Sequence, residues 1–407
     1  MALRSAEVDV AVIKQNAKLP DLGAALLGAA MALPCIMLSA QAETAPEKGT
    51  LSFKYLNYKE RQQVTGNSGQ SDAWTDSQSG ASAYDDRVRV KATATSVLLP
   101  LNGQWSLSGT LVTDSISGAS PAYHTQSLSK LQDFRRAVDT SLTRYLPNGK
   151  LALGLSHSGE NDYISRAVSL LATQASEDKN TTWTAGVAIQ RDVINPANQI
   201  VANEKKRGSD WLLGVTQVVS MNDVVQLNVG HYSGRGYFSD PYKIYDERPT
   251  DREHQTFQAR WNHHVSAFNG TSRLAYRFYT DTWGIRSHTL DAEWVQRLGS
   301  EWRVAPQLRL YSQNAARFYV EVDPRIAPFP PSPSPNALHF SEDQRLSAFG
   351  AVTMGLKVTR QLSVDTAVDV KLEQYGQKAA WKFTGVGSQG LAPFYARSIQ
   401  VGITHSF

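Results

Sequence analysis

Apolar and polar residues alternate with a period of two in many segments of this chain, and this pattern constrains its fold more than any other feature. Residues 87–94 read RVRVKATA, and residues 273–279 read RLAYRFY. Strict alternation indicates β-strands whose two faces meet different surroundings. Many alternating segments run for about 10–13 residues, longer than the ~5–6 typical of globular proteins and suited to a tilted membrane span.

The spacing of these segments predicts sixteen strands, with fourteen as the alternative count because the connections at 159–163 and 281–285 are very short. The predicted strands cover residues 50–58, 86–98, 104–116, 134–145, 150–159, 163–175, 181–191, 208–219, 224–232, 254–265, 272–281, 285–297, 302–313, 344–358, 363–375 and 395–407. Short and long connections alternate, as in outer-membrane barrels with tight periplasmic turns and long external loops. We therefore predict an all-β fold, a transmembrane antiparallel up-and-down β-barrel in the cell outer membrane.

The composition agrees with this prediction. The 407 residues include nine Trp, sixteen Tyr and thirteen Phe, and Trp or Tyr often falls at a predicted strand end, where an amphipathic ring can bridge lipid and headgroups. Outside residues 22–38 we find no apolar run long enough for a transmembrane helix. The single cysteine, Cys35, lies within that run, so the remainder of the chain must be stable without disulfides.

The N-terminal region is typical of a secretory signal. The apolar residues 22–38 are followed by SAQA at residues 39–42, in which Ala40 and Ala42 form an A-x-A cleavage site. We predict a signal peptide at 1–42 and one barrel domain at 43–407. An uncleaved inner-membrane anchor is the alternative.

The C-terminal residues 395–407 read YARSIQVGITHSF, with Ile399, Val401 and Phe407 on the same parity. This segment resembles the signal by which outer-membrane proteins are recognised for insertion, with Phe407 as its terminal aromatic residue, although His405 departs from the pattern. The resemblance implies the barrel-assembly machinery as a partner.

Several longer stretches resemble one family. They are residues 45–55 (APEKGTLSFKY), 113–123 (TDSISGASPAY), 158–163 (SGENDY), 234–243 (GRGYFSDPYK), 260–264 (RWNHH) and 341–350 (SEDQRLSAFG). Together they are similar to a Gram-negative outer-membrane family catalogued as domain of unknown function 3570. This resemblance covers nearly the whole chain after the signal and implies an outer-membrane barrel. It implies no activity and no catalytic residue.

The polar parity of the strands carries most of the charge. A charge on the lipid face costs up to ~2–4 kcal/mol near the membrane midplane, so we expect charged side chains to face inwards. The predicted pore-lining residues are Arg87, Arg89, Lys91, Arg273, Arg277, Asp281, Asp291, Glu293, Arg303, Arg309, Asp365, Asp369, Lys371 and Glu373, together with Asp139. Basic and acidic rows across a water-filled pore would orient polar solutes. The alternative is that these charges pair within a plugged interior.

Motifs for catalysis or cofactor binding are weak. Residues 385–390 match G-x-G-x-x-G, but Leu391-Ala-Pro393 follows instead of a helix, so a loop is expected. A hydrolase site at the barrel rim would draw on a set of histidines and aspartates: His157, His231, His263, His264, His288, Asp162, Asp281 and Asp291. We favour polar lining and rim residues, since a catalytic triad is defined by geometry rather than spacing.

Two loops have unusual composition. Residues 240–253 are acidic but also contain Lys243, Arg248 and Arg252, which favours a solvated, salt-bridged loop over a cation site. Residues 314–343 contain six prolines and are expected to be stiff, either folding into the pore or binding a partner outside it.

The sequence therefore predicts a porin-like channel or transporter for small polar or ionic solutes, with no catalytic residue, no cofactor and no metal. The alternatives are a barrel-embedded hydrolase with a rim site and a structural or secretion-assembly barrel that binds a partner through its loops. Outer-membrane lipid and lipopolysaccharide are the expected surroundings, and a homo-oligomer is left open. The net charge of +4 is spread evenly, which gives no reason to expect nucleic acid.

Overall fold

Sixteen long strands hydrogen-bond side by side and close on themselves in the computed structural model of the protein. The structure describes residues 44–64, 83–118, 131–243, 245–321 and 333–407. The strands are β1 (Thr50–Val64), β2 (Ala83–Leu101), β3 (Trp105–Gly118), β4 (Leu131–Leu146), β5 (Gly149–Gly159), β6 (Tyr163–Ala175), β7 (Thr181–Ile194), β8 (Glu204–Val218), β9 (Asp223–Gly236), β10 (Asp246–Glu247), β11 (Asp251–Val265), β12 (Gly270–Asp281), β13 (Arg286–Leu298), β14 (Trp302–Gln313), β15 (Phe340–Ser341), β16 (Phe349–Gln361), β17 (Thr366–Lys378) and β18 (Phe394–Ser406).

Short 3-10 turns supplement the strands at Ser266–Phe268, Gln344–Leu346 and Ala379–Trp381. No helix in the described ranges has the length and apolar character that a membrane span requires.

All strands except β10 and β15 belong to the barrel, and each is antiparallel to the two strands beside it in the barrel. The ring closes where β1 pairs with β18, from Thr50 opposite Ser406 to Gln62 opposite Phe394. Gly49 and Phe407 extend this seam with two backbone hydrogen bonds of 2.9 Å. The predicted up-and-down barrel of sixteen strands is confirmed.

The two short connections that left the strand count open are real hairpin turns, because β5 and β6 pair up to Gly159 opposite Ile164 and β12 pairs with β13 up to Thr280 opposite Arg286. One predicted strand began too early. Residues 344–346 form a 3-10 turn because the Asp343 carboxylate accepts a hydrogen bond from the backbone N–H of Arg345, 3.0 Å away. Strand β16 therefore begins at Phe349.

The two ends of the barrel differ. At one end, here the short-turn end, tight turns join the strands. Between β2 and β3, Asn102 and Gly103 have positive φ of 44° and 68°, which these residues adopt more readily than others. The opposite, long-loop end carries the connections after β1, β3, β7, β9, β14 and β17.

The outer face of the barrel is a band of large apolar side chains. Leu213 and Ile189 expose 65% and 61% of their surface, and Leu51, Phe53, Leu153, Leu155, Val168, Trp183, Trp211, Val229, Met354, Leu372 and Ile403 are also exposed. A soluble protein rarely exposes so large an apolar surface, whereas a hydrocarbon environment favours it. The exposed apolar residues are thus on the face that the alternation assigned to lipid.

Residues 237–243, 245–250, 314–321 and 333–348 fold over part of the long-loop end, and we call them the cap. Strands β10 and β15, which the sequence did not predict, pair with each other within it. The cap also has an apolar cluster formed by Phe238, Ala316 and Leu346 with Trp283 and Ile285 of the β12–β13 turn, against which Tyr279, Phe318 and Tyr319 pack.

Candidate functional site

The lumen is the candidate site, and its lining can be read from the strand register because directly paired residues of neighbouring strands lie on the same face. In β12, Arg273 pairs with Glu293 and Arg277 with Thr289, whereas the intervening Leu274 and Tyr276 are exposed on the outer face. Continuing this register places ten of the predicted residues on the inner face: Arg273, Arg277, Asp281, Asp291, Glu293, Arg303, Arg309, Asp369, Lys371 and Glu373.

All ten lie on β12, β13, β14 and β17. With β11 and β16 these are six consecutive barrel strands, whose inner face we call the charged wall. Four inward-facing basic residues of this wall were not predicted, namely Arg252, Arg260, Arg297 and Lys357. Lys357 lies between Leu356 and Val358, so the alternation could have found it. In β11, polar residues occur on both parities, and only the register separates Arg252 and Arg260 from the outer face.

Ion pairs organise the charged wall. Arg273 contacts Glu293 at 3.3 Å, Lys371 contacts Glu373 at 3.4 Å, and Arg309 is paired with Asp291. Near the long-loop end, Arg252 contacts Asp281 at 3.0 Å and stacks over Trp283 at 4.1 Å. These pairs join residues of neighbouring strands or two residues of the same strand. They hold in place side chains that would otherwise move freely in the lumen.

The charged wall carries an excess of positive charge. Its inward-facing basic residues are Arg252, Arg260, Arg273, Arg277, Arg297, Arg303, Arg309, Lys357 and Lys371, nine in all, against five acidic residues, Asp281, Asp291, Glu293, Asp369 and Glu373. Because four of the carboxylates are used in the ion pairs above, the field of the remaining basic groups favours anions in the lumen.

The opposite side of the lumen is lined by small residues. Strand β4 stands eight strands from β13 in the closed order, and the facing sector runs from β2 to β7. Its inward-facing residues at mid-height include Ala92, Ala94, Ala137, Ser141, Ala152, Gly154, Ser156, Ala167, Ser169, Thr184, Gly186 and Ala188. We call this sector the small-residue wall. It leaves room for the long side chains opposite.

Towards the long-loop end, the small-residue wall and β8 hold buried charges. Arg135 contacts Asp114 at 2.6 Å, and Lys206 contacts Asp192 at 3.4 Å. Tyr163 donates a 2.5 Å hydrogen bond to the same Asp192 carboxylate. The ammonium group of Lys206 also lies over the ring of Phe238 at 5.4 Å, so the cap covers this part of the wall.

Ion pairs hold the cap together. Arg248 bridges the carboxylates of Asp246 and Asp343, each at 2.7 Å, and Arg345 contacts Asp343 and Asp240. These arginines and their neighbour Lys243 hold the pKa of the buried Asp343 carboxyl well below its usual range, although burial opposes the shift. Residues 240–253 therefore contain a salt-bridged cluster, as expected, but its residues Asp240, Lys243 and Arg248 are buried rather than solvated, because the residues before β16 cover them.

Glu342 is also buried in the cap. Neither of its carboxylate oxygens accepts a hydrogen bond from a described residue. Burial raises the pKa of Glu342 from 4.5 to about 7, although the nearby Lys243 opposes the shift. Burial likewise raises the pKa of Asp246. The cap therefore contains carboxyl groups that titrate in different pH ranges.

The sequence profile of a family described as protein of unknown function (DUF3570) matches residues 23–130, 122–202 and 197–398. The chain belongs to this family. No curated protein matches the sequence.

Among solved structures, this DUF3570 protein is similar to a bacterial polysaccharide outer membrane secretin, with 10% identity over 87% of this chain and 98% of that chain and a TM-score of 0.46. It is similar to OccK9 (OpdG) of Pseudomonas aeruginosa, with 9% identity over 90% and 100% of the two chains and a TM-score of 0.43. For the outer membrane protein OmpT of Vibrio cholerae, the identity is 8% over 89% and 99%, with a TM-score of 0.41.

Three predicted lining residues of the DUF3570 chain, Arg89, Lys91 and Asp365, are placed elsewhere. Arg89 and Lys91 lie on the outer face, because the inward positions of β2 are taken by the buried Val88, Val90 and Ala92. The assignment of these two residues to the lumen is corrected. The side chain of Arg87 lies outside the described residues. Asp365 is in the turn before β17, where it contacts Lys48, and it does not line the lumen.

Of the residues considered for other chemistry, Asp139 faces the lumen beside Ser156. His157, His231, His263 and His288 lie on the outer face, and His263 contacts Asp223 at the short-turn end, 2.7 Å away. His264 faces inwards, 3.2 Å from Thr271. The structure does not bring these histidines together with Asp162, Asp281 or Asp291 into a triad.

The remaining motifs lie in loops. Residues 385–390 are in the connection between β17 and β18, with no helix after them. Residues 322–332 of the proline-rich segment lie outside the described residues, as do those before 44. In the described portion of the chain, no group of three or more His, Cys, Asp or Glu residues is arranged to hold a metal ion.

Proposed function

We propose that this protein is an outer-membrane channel that lets small polar or ionic solutes pass without covalent chemistry. The observation that carries the proposal is the asymmetric lumen, in which a charged wall faces a small-residue wall across a sixteen-stranded barrel. Barrels of about sixteen to eighteen strands are wide enough to enclose an aqueous path. The ionised side chains need that water, since an unpaired charge in a dry interior costs several kcal/mol.

The outer membrane is the proposed location because the outer face is apolar all round and the connections are short at one end and long at the other. A closed antiparallel barrel satisfies every strand's hydrogen bonds without an edge exposed to lipid. The exposed Trp183, Trp261 and Trp302 near the short-turn end are where an aromatic belt would lie.

Anions are the proposed preferred solutes. The nine basic groups exceed the five acidic groups on the charged wall, and their long side chains reach towards the small-residue wall. A ring or row of basic side chains in a pore lowers the barrier for anions and raises it for cations.

The cap is proposed to restrict entry from the long-loop end. It is attached to both sides of the lumen. Beside the charged wall, Phe238 and Leu346 of the cap pack against Trp283, and on the other side Tyr242 donates a 2.5 Å hydrogen bond to Asp162 beside β6. A cap held at two sides by ion pairs and hydrogen bonds can open by losing one set of contacts. Conductance through single channels would then show discrete closed states.

Planar-bilayer recording of the refolded protein tests the proposal. We expect discrete channels whose reversal potential in a salt gradient indicates a preference for anions. In R277Q/R303Q the four ion pairs of the charged wall remain, and the anion-to-cation permeability ratio should fall by about twofold or more because the surplus charge is halved. R136Q/R286Q, which changes two arginines on the outer face, is the matched control.

A folded protein without conductance in any salt would contradict the channel. Channels that select cations, or that lose selectivity equally in R136Q/R286Q, would contradict the role of the charged wall.

A further inference from the structure

Four arginines on adjacent strands stand directly opposite one another on the outer face near the long-loop end. Arg166 of β6 pairs with Arg191 of β7, Arg191 pairs with Arg207 of β8, and Arg207 pairs with Arg235 of β9. All four are exposed. We call this row the arginine ladder.

Such a row is unfavourable by itself. Like charges directly opposite each other on neighbouring strands, about 4.8 Å apart, destabilise a sheet. Of the described acidic residues, Asp251 contacts the ladder, through a 2.7 Å ion pair with Arg235 at its end. No described carboxylate neutralises the part of the row that contains Arg166, Arg191 and Arg207. An anion from outside the chain would therefore stabilise the row.

The surroundings of the ladder indicate what kind of anion this is. The next outward row towards the short-turn end contains Val168 and Ile189, and the row after it contains Leu170, Val187 and Trp211. The ladder therefore lies at the upper border of the lipid-facing apolar band. A ligand that carries acyl chains below its anionic groups matches this order, whereas a soluble anion would gain nothing from the apolar rows.

A second basic group has the same arrangement on another side of the barrel. Lys59 of β1 pairs with Arg397 of β18 and with Arg89 of β2, all on the outer face. Lys59 and Arg397 border an outer groove of about 640 Å³ whose lining includes Leu356, Leu372 and Ile399. Basic side chains above an apolar groove repeat the order seen at the ladder.

The short-turn end is different. Its outward-facing arginines, Arg144 and Arg360, lie over Trp105 and Trp302 at 5.4 and 5.1 Å, and Arg360 also contacts Glu301 at 3.8 Å. These two arginines have partners within the protein. Among the described residues of the outer face, the rows of directly opposed basic residues lie at the long-loop end, which distinguishes the two membrane leaflets.

We propose that the arginine ladder binds the phosphate groups of a phosphorylated glycolipid of the lipid A class in the leaflet at the long-loop end. The planar guanidinium groups can each donate two hydrogen bonds to a phosphate. Neighbouring strands bring these groups close enough together for one doubly phosphorylated headgroup to contact several of them. The acyl chains then lie against Val168, Ile189 and Leu170. This inference rests on the proposed membrane location but not on the proposed conductance.

Native mass spectrometry of the full chain in detergent, with purified lipid A added, tests the site. Wild-type protein should retain doubly phosphorylated lipid A in preference to the dephosphorylated form. R191Q/R207Q should retain at least about tenfold less of the phosphorylated lipid, because it removes the two central phosphate-binding groups. R144Q/R360Q, which changes the same number of arginines at the short-turn end, should bind as the wild type does. Inorganic pyrophosphate should compete weakly, since it has no acyl chains.

Thermal unfolding provides a second measurement. Without lipid, R191Q/R207Q should be at least as stable as the wild type because repulsion is relieved, and added lipid A should raise the unfolding temperature of the wild type more than that of the variant. Equal binding of both lipid A forms, equal loss in R144Q/R360Q, or competition by pyrophosphate at the same concentration as lipid A would overturn the proposal. Failure of the double variant to fold without lipid would also contradict it. Bilayer conductance is measured separately, so a silent channel would leave these results interpretable.

Discussion

The charged wall and the small-residue wall are built on the same kind of strand but present different surfaces to the lumen. On the charged wall, Asp291, Arg309 and Arg273 keep 36%, 29% and 25% of their side chains exposed, whereas Ala137 and Ala188 on the other wall expose 0% and 2%. Alternation decides which residues turn inwards. The charged side chains therefore border open space in the lumen, whereas these alanines are covered.

A large side chain placed on the small-residue wall should have the largest effect, which is on single-channel conductance. Ser169 faces the lumen and the adjacent Leu170 faces outwards. We expect S169W to reduce single-channel conductance by about threefold or more, because Ser169 is partly exposed on the inner face and the large ring would narrow the lumen there. L170W places the same ring in the lipid-facing band, where aromatic residues are tolerated, and should conduct normally. Equal conductance of the two variants would show that the path lies elsewhere.

Breaking the cap internally or at its attachment beside the small-residue wall should show which set of contacts stabilises it more. R248Q leaves the buried carboxylates of Asp246 and Asp343 without their shared partner, a change that typically costs about 3–5 kcal/mol. Y242F removes the hydrogen bond that Tyr242 donates to Asp162 and the 3.0 Å hydrogen bond that it accepts from the backbone N–H of Ala197, and should cost about 1–3 kcal/mol. Hydrogen exchange of residues 237–250 measures both costs, with the exchange of β5 and β13 as the internal reference. Faster exchange in Y242F than in R248Q would reverse the ranking.

The smallest effect should come from pH. The pKa of Glu342 is raised from 4.5 to about 7, so the folded cap keeps a proton that the opened cap releases. The cap should therefore be most stable on the acid side and lose stability as the pH rises through that range. Asp246, whose pKa is also raised, acts in the same direction. The lowered pKa of Asp343 has the opposite sign, and its stabilisation is lost only below pH 3.8.

Hydrogen exchange of the cap between about pH 5 and about pH 8, corrected for the intrinsic rate, checks this prediction. The free energy of cap opening should fall with rising pH in the wild type and vary less in E342Q. A stability that rises with pH in the wild type would contradict the assignment.

The sequence predicted the barrel well because its strands are long and locally periodic. Every barrel strand overlaps a predicted segment, and the register places the predicted residues of β12, β13 and β17 on the inner face. The prediction was wrong for Arg89 and Lys91. On β2 the assumption that charges face inwards led to the wrong parity, because these residues lie near the long-loop end, where an outward charge can reach lipid headgroups or water.

The cap, the charged wall as a continuous surface and the arginine ladder could not be found in this way. Each depends on residues that are distant in sequence, such as Arg248 with Asp343 or Arg191 with Arg207. No local period marks such pairs. They are fixed by the register of neighbouring strands and by the packing of two loops against each other.

The amino-acid sequence by itself determined the strands, their number and the face that most of their residues take, because a period of two and the turns between strands are local properties of the chain. The tertiary structure decided which strands stand opposite each other, where the charged side chains gather and how the long loops cover the lumen. Those features follow from closing the ring between β1 and β18. This pairing joins the first and last strands of the chain, and no local pattern specifies it.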